Sequence, residues 1–344
     1  MIPFYGIHRE HRALRQIYRN AIDEVMASGK MLGGPYTEEL ERNLGRMTSS
    51  ETKKRHAVCV ASGTDALYFS LKAAGIGPGD YVLVTDFSFI ASASCILRAG
   101  ATPIFIDIND NCLMNIDLCV ADKNFEKAKA MIFVDIFGIC PNFKEVEDFC
   151  RQFSICLIED ACQSFGGRSG NRPAGNMGAF SCISFDPTKV VSAPGNGGAV
   201  LCSEEDAELI TEMQYKSPSG HNSRISEINA AIVSLKLFHM KSWIEKRKEI
   251  ARYLAKRKGT EALDDNPYQK LPITSNNRPK VIEALQKADI EYMIHYPRPL
   301  HEELGLNAYS PNTAEICNHI LSLPIHPWLT DDEVEHIAKT VESL

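Results

Sequence analysis

Lys189 is the side chain with the most chemical promise. It closes Ser184-Phe185-Asp186-Pro187-Thr188-Lys189, and a small-residue stretch holding Gly195-Asn196-Gly197-Gly198 follows at once. Most lysines are solvated surface groups. This one lies between an apolar run and a glycine-rich turn, where a desolvated amine can attack a carbonyl. Upstream, the apolar run 155–158 ends in Glu159-Asp160-Ala161-Cys162-Gln163. Asp160 lies just past the end of that expected strand, on the edge where open α/β sheets place ligand sites. Further upstream, Ala61-Ser62-Gly63-Thr64-Asp65-Ala66-Leu67 opens a helix directly after a strand. The N–H groups and hydroxyls of Ser62-Gly63-Thr64 there suit a phosphate, although the tripeptide alone reads more simply as an ordinary helix cap. Ser184 can add a hydroxyl to the same anion. An amine, a strand-end carboxylate and a phosphate-sized polar loop together make the set that holds pyridoxal phosphate. The lysine is then the Schiff-base partner and the acid faces the pyridinium nitrogen.

Other motifs are less telling. Phe87 and Phe89 follow the second expected strand; one of them can stack on a cofactor ring, while core packing is the commoner fate of such residues. Gly75-x-Gly77-x-Gly79 follows a helix and precedes a strand, the reverse of a dinucleotide fingerprint, so it reads as a tight turn. His8-Arg9-Glu10-His11 and His301-Glu302-Glu303 lack metalloprotease spacing, and the ten histidines show no ligand cluster, so no metal is expected.

These groups need a frame to position them. Short apolar runs at 56–61, 81–85, 102–107, 130–135, 155–159, 180–185 and 198–202 read as strands, and patterns at 62–74, 89–99 and 142–152 as helices. Alternation of this kind predicts an α/β fold, with a mostly parallel seven-stranded sheet flanked by helices. Residues 10–30 form an expected helix ending at Gly29, and Thr37 is the expected cap of the next helix. After Gly220 the pattern changes to a long helix over 226–258. Residues 260–344 then give a strand or two, a helix near 279–288 and a final helix capped by Thr330. The expected division is a large domain over 1–240 and a small α+β domain over 241–344.

Composition sets the outer limits. The chain has 344 residues, 44% hydrophobic and 24% charged, with a net charge of -7. That is ordinary for a globular protein. With no long basic run, nucleic-acid binding is not expected. No apolar stretch reaches the roughly 18 residues of a membrane span. The beginning of the chain lacks a basic-then-apolar signal pattern. The eleven cysteines are scattered without a Cys-x-x-Cys pair and read as reduced, mostly buried thiols of a cytoplasmic protein.

Taken in order, these motifs resemble the DegT/DnrJ/EryC1/StrS family of pyridoxal-phosphate-dependent sugar aminotransferases, of the fold type I (aspartate aminotransferase) superfamily. The resemblance runs from Gly33-Gly34-Pro35 through the segments above. It continues in Asn222-Ser223-Arg224-Ile225-Ser226-Glu227-Ile228-Asn229-Ala230-Ala231 and His295-Tyr296-Pro297, and closes with Leu321-Ser322-Leu323-Pro324-Ile325. It implies that Lys189 anchors the cofactor and shuttles the proton, and that Asp160 pairs with the ring nitrogen. By the same resemblance Gln163 contacts the ring hydroxyl, Gly63, Thr64 and Ser184 hold the phosphate, and Phe89 stacks on the ring. Asn222 would reach the phosphate of a neighbouring subunit in a homodimer, with Arg224, His295 and Tyr296 near the shared cleft. The implied reaction moves an amino group from L-glutamate to a nucleotide-linked keto sugar. A cyclitol aminotransferase, another enzyme of the same family, or a regulatory relative without catalysis are the alternatives. Phe165, where many members have histidine, Asp186, Val190 and a short 258–275 segment depart from the family pattern.

Overall fold

The computed structural model describes residues 1–215, 221–258 and 260–342. Gly220, where the sequence pattern changes, lies outside them. Two helices lead the chain, α1 (Ile7–Ser28) and α2 (Pro35–Thr48). Helix α1 ends at Gly29, whose φ of 68° accepts the left-handed turn expected of it. Then follow β1 (His56–Val60), α3 (Gly63–Ala73), β2 (Tyr81–Thr85), α4 (Ala91–Arg98), β3 (Thr102–Ile106), β4 (Ala128–Val134), α5 (Phe143–Gln152) and β5 (Cys156–Asp160). A small hairpin, β6 (Arg168–Ser169) and β7 (Arg172–Pro173), precedes β8 (Phe180–Ser184) and β9 (Gly198–Cys202). The rest comprises α6 (Glu204–Tyr215), α7 (Glu227–Lys258), β10 (Leu271–Thr274), α8 (Arg278–Lys287), α9 (Leu300–Glu303), α10 (Pro311–His319), β11 (Ile320–Leu323) and α11 (Asp331–Glu342).

The central sheet has seven strands in the order β1-β9-β8-β5-β4-β2-β3. Strand β9 runs antiparallel to both neighbours and every other pairing is parallel. Helices cover both faces, so side chains such as Leu83, Met131 and Ile158 lose all solvent contact. This explains the near-continuous apolar runs in the sequence. A separate apolar cluster joins Ile250, Leu254, Leu285, Leu321, Leu323 and Ile337 with Ile2 from the chain start. Strands β10 and β11 pair antiparallel beside it.

Several boundaries moved from their expected places. Thr37 does not cap α2, which begins two residues earlier at Pro35. Its cap is remote: the Glu227 carboxylate accepts the N–H groups of Gly34 (3.0 Å), Tyr36 (2.9 Å) and Thr37 (3.0 Å), together with the Thr37 hydroxyl. A long-range partner of this kind leaves no local signature. Helix α4 starts at Ala91 rather than 89, leaving Phe89 in the turn before it. Asp160 is the last residue of β5 rather than the first beyond it. Thr330 does cap α11: its hydroxyl accepts the N–H of Glu333, and Glu333 reaches back to the N–H of Thr330.

Candidate active site

The carboxyl ends of β1, β2, β5 and β8 surround a cavity of about 670 Å³. Ten of the residues singled out in the sequence line it: Ser62, Gly63, Thr64, Phe89, Asp160, Gln163, Ser184, Lys189, His295 and Tyr296. A larger cleft of about 1360 Å³ between α2, β1 and α6 contains none of them. Glu38, Glu204, Glu208 and other solvated charges line it instead.

At one end of the cavity, α3 points its N-terminus inward. The Ser62 hydroxyl accepts the N–H of Asp65 at 3.1 Å, so for this side chain the ordinary capping role holds. Close backbone approach builds the rest. A Cβ on Gly63 would meet Cβ of Ser184 at 2.8 Å and Sγ of Cys162 at 3.0 Å. A Cβ on Gly198 would meet the carbonyl of Ser62 at 2.5 Å. Only glycine lets β8 and β9 come this near the start of α3. The result is a helix N-terminus with the Thr64 and Ser184 hydroxyls beside it, the donor set of an anion seat.

Asp160, only 5% exposed, is held at both oxygens. Oδ1 accepts the N–H of Cys162 at 3.2 Å, and Oδ2 accepts the hydroxyl of Ser92 at 3.0 Å. Ser92 is in turn 2.9 Å from Ser88. Among the described residues no cation lies within ion-pair distance of Asp160, so its carboxylate is oriented without being neutralised. Behind it, burial and then Glu159 push the Asp135 carboxyl well up. Burial raises Glu159 as well, while its bonds from Gly175, Ser181 and Met177 draw it back down. Burial, and then Asp160, push the Cys162 thiol well above its usual range; it is no nucleophile at neutral pH.

Gln163 spans two partners. Its Oε1 accepts the N–H of Phe137 at 3.1 Å and its Nε2 donates to the Tyr296 hydroxyl at 3.3 Å. Burial raises the phenol of Tyr296, so that phenol stays protonated. His295 lies 3.1 Å from the Ser322 hydroxyl. Burial, helped by Lys270 and Lys189, lowers its pKa to about 3, so its ring is neutral. The two phenylalanines separate cleanly. Phe87 is fully buried and packs edge-on against Phe137 and Tyr296, whereas Phe89 is 57% exposed and faces the cavity.

Two expected residues stand apart: neither Asn222 nor Arg224 lines this cavity. Arg224 Nε donates to Asn222 Oδ1 at 3.4 Å. Between them, Ser223 donates to Asp65 at 2.7 Å and accepts the N–H of Ala61 at 3.1 Å, which ties the segment to the start of α3. Sequence reasoning missed Tyr5, Ser88, Ser92 and Lys270, all at or just behind the cavity wall. Tyr5 and Lys270 belong to no local motif, whereas Ser88 lies between Phe87 and Phe89 and Ser92 follows in the first turn of α4.

The donor set fits pyridoxal phosphate. It offers an anion seat at the α3 N-terminus, a carboxylate oriented by Cys162 and Ser92 for a ring nitrogen, and the Lys189 amine in the same cavity. Comparison with known proteins agrees. The model of the DegT/DnrJ/EryC1/StrS aminotransferase family matches residues 13–342, and the chain belongs to that family. It is therefore an aminotransferase of the pyridoxal-phosphate-dependent class. A pleiotropic regulatory protein of Geobacillus stearothermophilus is 30% identical, with 99% of this chain and 97% of that one covered. The UDP-2-acetamido-2-deoxy-3-oxo-D-glucuronate aminotransferase of Pseudomonas aeruginosa is 28% identical, with 98% of each covered. The crystal structure of a DegT DnrJ EryC1 StrS aminotransferase from Brucella abortus superposes with a TM-score of 0.93 at 29% identity, covering 100% of this chain and 99% of that one.

Proposed function

We propose that this enzyme moves an amino group from L-glutamate to the ketone of a nucleotide-linked keto sugar. The observation that carries the reading is the meeting of Lys189, Asp160 and the α3 N-terminus around one cavity. The sugar class rests on the Pseudomonas relative, whose name gives a UDP-linked keto sugar as its substrate.

Bound pyridoxal phosphate supplies an electron sink that makes the proton beside the transferred amine acidic. The chain's own residues do the rest. Thr64, Ser184 and the N–H groups opening α3 hold the phosphate. Asp160, fixed by Ser92 and the Cys162 N–H, keeps a negative charge at the ring-nitrogen position. Gln163 and Phe89 orient the ring. Lys189 would anchor the cofactor, and its Nζ would hold and move the proton that the chemistry displaces. The donor leaves before the acceptor arrives, so the kinetics are ping-pong.

Asn222 serves the cofactor phosphate of a neighbouring subunit, and Arg224 lies near that shared cleft, so the working unit is a homodimer. The large domain covers 1–240 and the small one 241–344, in a cytoplasmic protein. The Geobacillus relative favours one second reading, a regulatory protein that keeps the fold. The intact set of Lys189, Asp160, Gln163 and Ser184 weighs against it, because regulation does not require a proton shuttle. Lys189→Ala and Lys189→Arg are expected to abolish turnover while leaving the thermal unfolding transition in place. Normal transamination by either variant overturns the assignment.

A further inference from the structure

Lys189 is not alone among the cavity's lysines. Lys270 lines the same space yet keeps only 6% of its surface exposed. Its Nζ donates to the Tyr296 hydroxyl at 3.0 Å and lies 4.9 Å from the centre of that ring. Among the described residues no carboxylate is within ion-pair distance of it. The other buried cations are better served. Lys236 pairs with Glu10 at 2.6 Å. Arg55 donates to the carbonyls of Met177, Gly178 and Ala179 and to Ser181. Arg247 donates to the carbonyls of Tyr268 and Ile325. An ammonium carries three donors, and burying one with a single neutral acceptor is costly.

The charges that face Lys270 show what it lacks. Burial and then Lys189 push its ammonium well below the usual lysine range, with Asp186 pulling weakly the other way. The neighbouring His295 ring is held neutral by burial and by the same two lysines. This wall of the cavity therefore favours an incoming negative charge. One ammonium beside one protonated phenol matches the two oxygens of a single carboxylate. A diphosphate carries more charge and needs more donors than this wall provides.

We propose that Lys270 is the cationic anchor for a carboxylate of the substrate, with the Tyr296 hydroxyl beside it. The assignment deepens the aminotransferase reading and rests on it for the identity of the substrate. Two sources share the chemistry: a dicarboxylic amino donor, and an acceptor sugar bearing a carboxylate.

The test uses the full-length, cofactor-loaded protein and its Lys270→Met and Lys270→Arg variants. Calorimetric titrations with 2-oxoglutarate, UDP-glucuronate and UDP-glucose separate the sources. If the donor supplies the carboxylate, Lys270→Met binds 2-oxoglutarate at least about tenfold more weakly, as loss of one charge-assisted hydrogen bond implies. The KM for L-glutamate then rises while kcat changes little. If the sugar supplies it, UDP-glucuronate weakens to that degree and UDP-glucose does not. In either case Lys270→Arg restores most of the binding, which a merely structural lysine would not require. Removing a buried amine held by a single neutral partner should leave the melting temperature of Lys270→Met unchanged or higher, so misfolding does not mimic the effect. Wild-type affinity of Lys270→Met for both carboxylates, or no binding of either by the wild type, overturns the proposal. Failure of the aminotransferase reading shows separately, as a wild-type absorbance spectrum indifferent to L-glutamate.

Discussion

Gly198→Ala should cripple cofactor binding from inside the sheet. Gly198 opens β9, paired with Val60 on one side and Ser184 on the other. A Cβ there would sit 2.5 Å from the Ser62 carbonyl and 2.7 Å from the Gly63 nitrogen, whereas ordinary contact begins near 3.4 Å. The start of α3 and the sheet must then part by about 0.9 Å (from 2.5 to 3.4 Å). Both neighbours are backbone, so no side-chain rotation relieves the clash. Overpacking costs about 1–3 kcal/mol, and the stiffer unfolded chain returns about 0.4–1 kcal/mol. The net loss of stability is modest. The functional loss is larger, because hydrogen bonds tolerate only a few tenths of an ångström. Each charge-assisted bond lost to the phosphate is worth about 1.5–3 kcal/mol, roughly 10- to 150-fold in affinity. Gly195→Ala is the internal control: among the described residues its added Cβ meets only Nδ2 of Asn229, at 3.6 Å. Titration of cofactor-free protein with pyridoxal phosphate, followed by absorbance, measures both variants. Gly198→Ala binding within about threefold of wild type, or Gly195→Ala failing equally, refutes the argument.

Glu227→Ala leaves three N–H groups and a hydroxyl of the α2 start without their acceptor. It should cost about 3–5 kcal/mol in urea unfolding, and a loss under about 1 kcal/mol contradicts the remote-cap account. The Glu333 carboxyl is drawn down to about 2, first by its hydrogen bonds from Arg9, with the N–H of Thr330 adding to them. A depressed carboxyl stabilises the fold above its unfolded value and loses that contribution as pH falls through its folded one. Glu333→Gln should therefore trail wild type by about 1–2 kcal/mol at neutral pH, with the gap closing between about pH 4 and pH 2. A gap that persists unchanged in acid refutes it. Ser92→Ala removes a hydroxyl that holds Asp160 and should lower kcat about tenfold or more with cofactor still bound; unchanged kcat removes Ser92 from the site.

Much of this site could be read from the chain because its chemistry falls in contiguous segments. Ser62-Gly63-Thr64, Asp160 with Gln163, and Ser184 with Lys189 each sit at a strand end, where alternating strands and helices bring them to one edge. What escaped was long-range. Lys270 and Tyr5 reach the cavity from segments with no motif around them, and Ser92 acts through Asp160 from the first turn of α4. The α2 cap is supplied by Glu227, 193 residues beyond Gly34, so the local preference of Thr37 was misleading. Phe87 and Phe89 are alike in sequence, and packing alone assigns one to the core and the other to the cavity. Asn222 and Arg224 lie off this cavity, on a segment that Ser223 ties to the start of α3.

Whether Lys189 carries the cofactor and accepts an amino group is read from the visible absorbance of the purified protein, before and after L-glutamate. The account predicts a band from cofactor joined to Lys189, absent in Lys189→Ala, that converts to the pyridoxamine form when the amino donor is added. No band, even after pyridoxal phosphate is supplied, would contradict it.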